Sequence, residues 1–442
     1  MLVIGVGASF ATQAANLFEV YHDALAHDAR YAAARAQLEA DQEKVVQGRA
    51  ALLPTLTATA NTRWNDIDTR TGAGLDSDAK YNSNGYALQL TQPLFRRQNW
   101  IQYEVGALQT ELAESQFGDA TQALILRAST AYFDVLNARD ALGAVTRLRT
   151  AAAEQLELAR TSFEVGTVTI TDVHEAQSRF DLAVAQEIAA QNALDVANQG
   201  LARLIGHAPE TLAGLLPGVA LQAPSPSDIE PWVAAAMESD YGVRAAELGH
   251  EIAARTLDSV QSGHLPTLDI VASFGRNRRS SPSIEHSDSG VIGLEFNVPL
   301  YQGGAVRSAA REAAALKLKA EAELDEARRV AALTAREAYL GVTSGMAQVK
   351  ALEAAQVSSA SALEANRLGY EVGVRINIDV LNAQSQLADT QQKLARARYD
   401  TLLAQLRLKA ATGALSEDDV RAINALLEPQ SLPTTRDNTL DE

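Results

Sequence analysis

The chain has 442 residues, with 38 Lys plus Arg against 55 Asp plus Glu and a formal net charge of −17, so a nucleic-acid backbone would be repelled rather than gripped. It contains no cysteine, which removes disulfides, thiol catalysis, thiolate metal sites and a lipid anchor on an N-terminal cysteine. Beyond the first few residues no uninterrupted apolar run reaches the roughly 18 residues that a membrane-spanning helix needs, so any passage through a bilayer has to be made by β-strands.

The first residues, Met1 to Ala14, are apolar and end in small side chains suited to signal-peptidase cleavage after Ala14, which predicts an exported chain. The prolines then fall very unevenly. None occurs from Leu94 to Ala208, nor from Leu300 to Glu428, and both stretches are rich in Ala, Leu, Gln, Glu and Arg. Strong helix formers without breakers predict helices far longer than the usual length of about 11 or 12 residues. From Phe95 to Phe163 such a helix would run about 100 Å at about 1.5 Å per residue.

Each Pro-free stretch has one interruption, Phe163 to Asp172 in the first and Tyr370 to Asp379 in the second. Glycine and β-branched residues weaken a helix and Asp is a good N-cap, so each interruption reads as a helix–turn–helix tip. The two stretches align at a constant offset of 207 residues, Phe163 with Tyr370, Gly166 with Gly373, Asp172 with Asp379 and Gly206 with Gly413, which is an internal duplication. After each tip a row of larger residues at seven-residue spacing (Val173, Phe180, Glu187, Leu194, Leu201; Val380, Leu387, Leu394, Thr401, Leu408) runs beside a row of small ones such as Ala176 and Ala183, or Ala397 and Ala404. That is the signature of closely packed, coiled-coil-like helices.

The duplication extends upstream, where Leu53-Pro54 matches Leu265-Pro266 and Pro93-Leu-Phe95 matches Pro299-Leu-Tyr301. Between these markers the pattern changes to period two. Leu56, Ala58, Ala60, Thr62 and Trp64 alternate with polar neighbours, as do Tyr86, Leu88 and Leu90, then Leu268, Ile270, Ala272 and Phe274, then Ile292, Leu294 and Phe296. Polar loops near 66–84 and 279–289 are predicted to join them into two hairpins, with Trp64, Tyr81, Phe95, Trp100, Phe274 and Tyr301 near the strand ends. Four strands with one apolar and one polar face cannot close a barrel, and open edges in a bilayer are costly, so several chains must contribute. A soluble sandwich would use the same alternation but would not explain a helix of that length after each hairpin. The predicted organisation is a signal segment 1–14, a first repeat 15–206, a Pro-rich linker 207–231, a second repeat 232–412 with one helix over Trp232–Gly263, and a closing segment with a polar tail 413–442.

These features resemble the TolC-like outer-membrane channel proteins of bacterial multidrug efflux and type I secretion. The resemblance covers essentially the whole mature chain. Its most specific parts are Val165-Gly166-Thr167 with Ile170 to Val173, Tyr370 to Gly373 with Ile378 to Leu381, Val298-Pro299 to Gly304, and Ala410 to Gly413. It implies a mainly α fold with membrane β: a homotrimer whose 12-stranded β-barrel takes four strands per chain and continues as a long periplasmic α-helical barrel, with 207–231 in an equatorial belt. It further implies an outer-membrane exit channel that works with a periplasmic adaptor and an inner-membrane ABC or RND-type transporter, contacts outer-membrane lipid and needs no cofactor. An adaptor would carry one hairpin between lipoyl-like and barrel halves, and a coiled-coil scaffold would need no amphipathic strands. This chain has two hairpins and four such strands.

The resemblance also assigns residues. Adaptors are expected at Val165, Gly166 and Thr167 and at Val372, Gly373 and Val374. A closing network is expected in which Tyr370 and Arg375 of one hairpin reach Thr171 and Asp172 of the other. Threefold symmetry would gather Asp379 into a ring of carboxylates that favours cations. The family's second acid, three positions on, is replaced here by Asn382, so a single ring and a weaker cation block are expected. No catalytic constellation is found, His174 lacks a second ligand at metal spacing, and Tyr301 to Gly304 lacks the lysine of a phosphate loop.

Overall fold

The computed structural model describes residues 15–70, 72, 76–209, 211–281 and 283–427; the expected signal segment and the tail from 428 onward lie outside them. The elements in chain order are α1 (Leu17–His27), α2 (Ala29–Ala50), β1 (Thr55–Arg70), β2 (Asp76–Phe95), α3 (Arg97–Glu164), α4 (Ile170–Ile205), α5 (Glu230–Ser239), α6 (Tyr241–Gln261), a 3₁₀ turn (Ser262–His264), β3 (Thr267–Ser281), β4 (Ile284–Asn297), α7 (Ala305–Glu371), α8 (Asn377–Ala411) and α9 (Glu417–Asn424). Contacts group them into two compact units, each taking matching pieces from both repeats.

One unit comprises 36–116 and 244–327. Its centre is an antiparallel meander in the order β1-β2-β3-β4, so the two hairpins of the duplication are joined edge to edge through β2 and β3. The ladder runs from Thr55 opposite Thr91 to Arg70 opposite Asp76, and from Thr267 opposite Asn297 to Ser281 opposite Ile284. Most of the residues expected to form loops at 66–84 and 279–289 are therefore strand, and Trp64 and Tyr81 lie in mid-ladder rather than at strand ends. The physical reason is that backbone pairing is indifferent to side-chain polarity. The Asn, Asp, Thr and Ser that read as loop by composition instead bond across the strands: Asn82 Nδ2 to Thr62 Oγ1 at 3.0 Å, Asn65 Nδ2 to Ser83 Oγ at 2.8 Å and Lys80 to Asp66 at 3.2 Å. Where β2 ends, a register shift between Pro93 and Phe95 accommodates a residue with no N–H to give. Arg96 then clamps Asp269 of β3 with two hydrogen bonds of 2.8 and 2.5 Å, satisfying a carboxylate that is only 4% exposed. In the same unit α2 and α3 cross with backbones in contact: a Cβ on Gly106 would lie 2.6 Å from the Lys44 carbonyl oxygen.

The other unit comprises 15–35, 117–243 and 328–427 of the described residues. Its main core joins Leu17 and Val20 of α1, Tyr132, Phe133 and Leu136 of α3, Leu201 and Ile205 of α4, Leu402 and Leu406 of α8, and Val420 and Ile423 of α9. Phe133 stacks on Tyr399 at 5.5 Å between centroids, and the Tyr132 hydroxyl donates to the Ala213 carbonyl at 2.7 Å, which ties the Pro-rich linker to α3. Burial pushes the Tyr132 and Tyr399 hydroxyls well above the ordinary tyrosine range, so both remain donors throughout the physiological span.

The helix expected over Trp232–Gly263 is two helices, broken at Asp240, and the helix before β1 is likewise broken at Asp28. Both aspartates have extended backbones and turn their carboxylates onto the next helix: Asp240 accepts from the N–H groups of Gly242 and Val243 at 2.8 and 3.1 Å, and Asp28 from that of Tyr31 at 2.6 Å. An Asp in a run of helix formers can cap a new helix without any proline or glycine to announce the break.

Candidate functional site

The tips belong to the second unit and can be built from their backbone upward. In the first, Gly166 sits at φ +77° and the N–H of Thr167 closes the end of α3 onto the Ser162 carbonyl at 2.9 Å. In the second, Gly373 sits at φ +79° and the N–H groups of Val374 and Arg375 both reach the Gly369 carbonyl, at 2.9 and 3.0 Å. A Cβ on either turn glycine would touch nothing within 4 Å, so glycine is required there by the left-handed backbone and not by space. Val165, Val372 and Val374 project from the turns, 65 to 75% exposed.

After the turns the copies diverge. Thr169 and Asp172 form a capping box, with the Asp172 carboxylate accepting from both the N–H and the hydroxyl of Thr169 at 2.8 Å. Ile376 stands where Thr169 does and offers no cap. Asp379, in the place of Asp172, instead lies 3.6 Å from Arg375 one turn earlier. Arg375 folds back over α7 at Gly369, where a Cβ would come within 2.7 Å of its Cγ. Within one chain, then, Arg375 meets Asp379, Asp172 is held by Thr169, and among the described residues no hydrogen bond or ion pair joins Tyr370 or Arg375 to Thr171 or Asp172. Within one protomer, Asp172 is engaged by its own cap.

Other contacts hold the two hairpins together. Leu381 of α8 packs with Ala152, Leu156 and Ala159 of α3 and Ala176 of α4. The Arg179 guanidinium of α4 donates to the Asn382 side chain at 2.9 Å, so the position where the family's second acid is replaced carries a neutral link between hairpins. Lower down, within the first hairpin, Glu187 of α4 accepts from the Thr146 hydroxyl of α3 at 2.9 Å and pairs with Arg149 at 3.1 Å. Asn377 and Gln384, one heptad apart on α8, are 4% and 5% exposed, and neither amide has a hydrogen-bond partner among the described residues. Sequence reasoning passed over Arg179, Gly369, Asn377 and Gln384. Only Asn377 had a legible signal, a polar residue aligned with the apolar Ile170.

Away from the tips, a cleft of about 960 Å³ opens beside Asp28, Arg127, Asp134, Arg203 and Arg407. Asp134 is exposed at the rim of this cleft, and partial desolvation by its neighbours, then the negative charge of Asp400, lifts its carboxyl above the ordinary aspartate range, with Arg396 acting in the opposite sense.

The sheet has two unpaired edges, β1 and β4, and one exposed apolar face on which Leu56, Leu88, Phe274, Ile292, Leu294 and Phe296 all lie. No helix among the described residues is long and apolar enough to cross a membrane. The sequence pattern of the family described as "Outer membrane efflux protein" matches residues 20–207 and 232–414. The chain belongs to the outer membrane efflux protein family. It is 34% identical over 425 residues to outer membrane protein TolC of Vibrio cholerae, covering 95% of both chains. It is 32% identical over 431 residues to the alkaline protease secretion protein AprF of Pseudomonas aeruginosa, covering 96% of this chain and 89% of that one. The CmeC outer membrane channel of Campylobacter jejuni superposes with a TM-score of 0.80 at 16% identity, over 93% of this chain and 89% of that one, and so shares its fold. This outer membrane efflux protein is accordingly an outer-membrane exit channel for efflux or type I secretion. Three copies contribute four strands each to one β-barrel, and the fold also includes a periplasmic α-helical barrel.

Proposed function

We propose that the channel is the outer duct of a tripartite export machine, in which a periplasmic adaptor seats on Val165–Thr167 and Val372–Val374 and couples it to an inner-membrane transporter of the ABC or RND type. The observation that carries this reading is the pair of glycine-built turns, each presenting exposed valines. Apolar side chains held out on short rigid turns are suited to docking another protein. No catalytic step is part of this reading.

The tips are also the closed end of the duct. Three copies of Asp379 form one ring at the mouth, and Tyr370 and Arg375 are placed to reach Thr171 and Asp172 of a neighbouring copy once Arg375 leaves its own Asp379. One exposed pair of this kind contributes only about 0.2–1 kcal/mol, but three act together under the symmetry. The test is conductance of the purified trimer in planar bilayers, where low conductance that rises in the Arg375→Ser variant is expected. A parent channel already fully open, or a variant that conducts like the parent, would overturn the gate assignment.

A further inference from the structure

The apolar face of the sheet ends in a charged row whose position is set by the register. Residues directly opposite one another share a face, so the outward rows can be read across all four strands: Leu56, Leu90, Ala272 and Ile292, then Ala58, Leu88, Phe274 and Gly290, then Ala60, Tyr86, Arg276 and Asp288, then Thr62, Asn84, Arg278 and His286. From the row of Leu268 and Phe296 to that of Arg276 is four two-residue steps. These amount to about 27 Å of strand at about 3.4 Å per residue, or roughly 20 Å of depth at a tilt of about 40°. A lipid-facing apolar band is about 25 Å tall, so the Arg278 row lies where hydrocarbon gives way to headgroups. Trp64, 86% exposed, lies one row further out on the same face, as interfacial tryptophans do.

The charges in these rows are not equivalent. Arg276 is bound bidentately to Asp288 across the strands, at 2.7 and 2.6 Å, which leaves the edge of the band nearly neutral. Arg278 and Arg279 are exposed and make no hydrogen bond or ion pair among the described residues, and Arg278 stands opposite His286 rather than an acid. Arg279 is the one non-glycine residue described at positive φ, +52°, where the ladder gives up its register before the β3–β4 turn. In a chain of net charge −17, two consecutive arginines that make no hydrogen bond or ion pair among the described residues are a local exception at headgroup depth. We infer that Arg278 and Arg279, flanked by His286, form a binding site for the phosphate of a membrane-lipid headgroup, one site per protomer around the barrel. The guanidinium fork suits a phosphate anion, and the apolar rows beneath receive the acyl chains of the same molecule.

The test uses the purified trimer in dodecyl maltoside with bis-phosphorylated lipid A as the probe, scored by native mass spectrometry. The parent is expected to retain up to three lipid A molecules per trimer. Lipid A stripped of both phosphates is expected to be retained about tenfold less, and so is bis-phosphorylated lipid A on the Arg278→Ser/Arg279→Ser variant, while Arg278→Lys keeps part of the binding. Equal retention of the stripped lipid by the parent would overturn the site whether or not the variants assemble. Displacement by millimolar inorganic phosphate alone would overturn the lipid as its occupant.

Discussion

The two tips descend from one duplicated segment, yet they solve the first turn of the returning helix in opposite ways. In the first, the polar pair Thr169 and Asp172 closes on itself while the apolar Ile170 is left 47% exposed. In the second, the cap position is the apolar Ile376, Asp379 is free to face Arg375, and the polar Asn377, the counterpart of Ile170, is buried without a hydrogen-bond partner among the described residues. The first tip is locally complete. The second is held by its surroundings, since α8 buries most of its length against neighbours while α4 buries only Ala176, Ala183 and its last turn and leaves Leu182, Ile188 and Val196 exposed. A helix end that is internally satisfied is a fixed post; one whose carboxylate is held only by an exposed ion pair and whose amides are desolvated has less to lose by moving.

The glycine turns are what the tips share, and breaking them is expected to have the largest effect. Gly373→Val forces a β-branched residue to φ +79° and blunts the turn. Export is expected to fall about tenfold or more with trimers still present in the outer membrane, and Gly166→Val to do the same. If only one of the two variants loses export, docking belongs to that tip alone. Next come the charges. Arg375→Ser is expected to raise single-channel conductance several-fold and Asp379→Ala to reduce cation selectivity, whereas Asp172→Ala, which removes a cap and one closing partner of Arg375, should raise conductance less than Arg375→Ser and leave selectivity near the parent in the same bilayer measurement. An Asp172 effect equal to that of Asp379 would erase the distinction between the tips.

The sequence carried this comparison part of the way. The offset of 207, the strand alternation and the glycines are periodic or conformational signals, and they survive in one dimension. Three features did not. Asp28 and Asp240 break helices by capping, yet in sequence they resemble any surface aspartate of a helix. The outer halves of the strands look like loops because Asn, Asp and Ser dominate them, and only the ladder shows that they are paired. The asymmetry of the tips depends on which helix packs on which, and nothing in the sequence marks Asn377 as a buried residue.

That burial supplies a third test. A buried amide without partners costs about 1–3 kcal/mol, so Asn377→Ile is expected to stabilise the second tip by a similar amount, seen as slower amide exchange in the first turns of α8. The mirror change, Ile170→Asn, exposes nothing new and should leave α4 within about 0.5 kcal/mol of the parent. Equal effects would mean that the amides of Asn377 are satisfied in the assembled trimer. Asp134, remote from both tips, separates local from general effects of pH. Its folded carboxyl holds a proton more tightly than an ordinary aspartate, so its ionisation costs stability above that raised value, and the cost disappears as pH falls through it. Asp134→Asn should therefore raise the melting temperature slightly at about pH 7.5 and make no difference near pH 4, while amide exchange at the tips stays unchanged.

The smallest expected effect is the most pointed. Ile376→Thr would rebuild on α8 the arrangement that closes α4, a hydroxyl at the cap with an aspartate three residues on, as in Thr169 and Asp172. Ile376 is 60% exposed, so little apolar burial is lost, and a new cap is worth about 1 kcal/mol. The gain would come with a transfer of Asp379. Its carboxylate cannot accept from the cap's N–H and hydroxyl, as Asp172 does at 2.8 Å, while holding Arg375 at 3.6 Å as before. The variant is thus expected to melt slightly higher and yet lose part of its cation selectivity, with conductance shifted away from that of Arg375→Ser, because Arg375, released from Asp379, is free for its closing contacts on the neighbouring copy. Higher stability with lower selectivity is a combination that no general loosening of the tip produces. If the variant gains stability with selectivity intact, Asp379 can serve cap and mouth at once, and the difference between the two tips lies in packing alone.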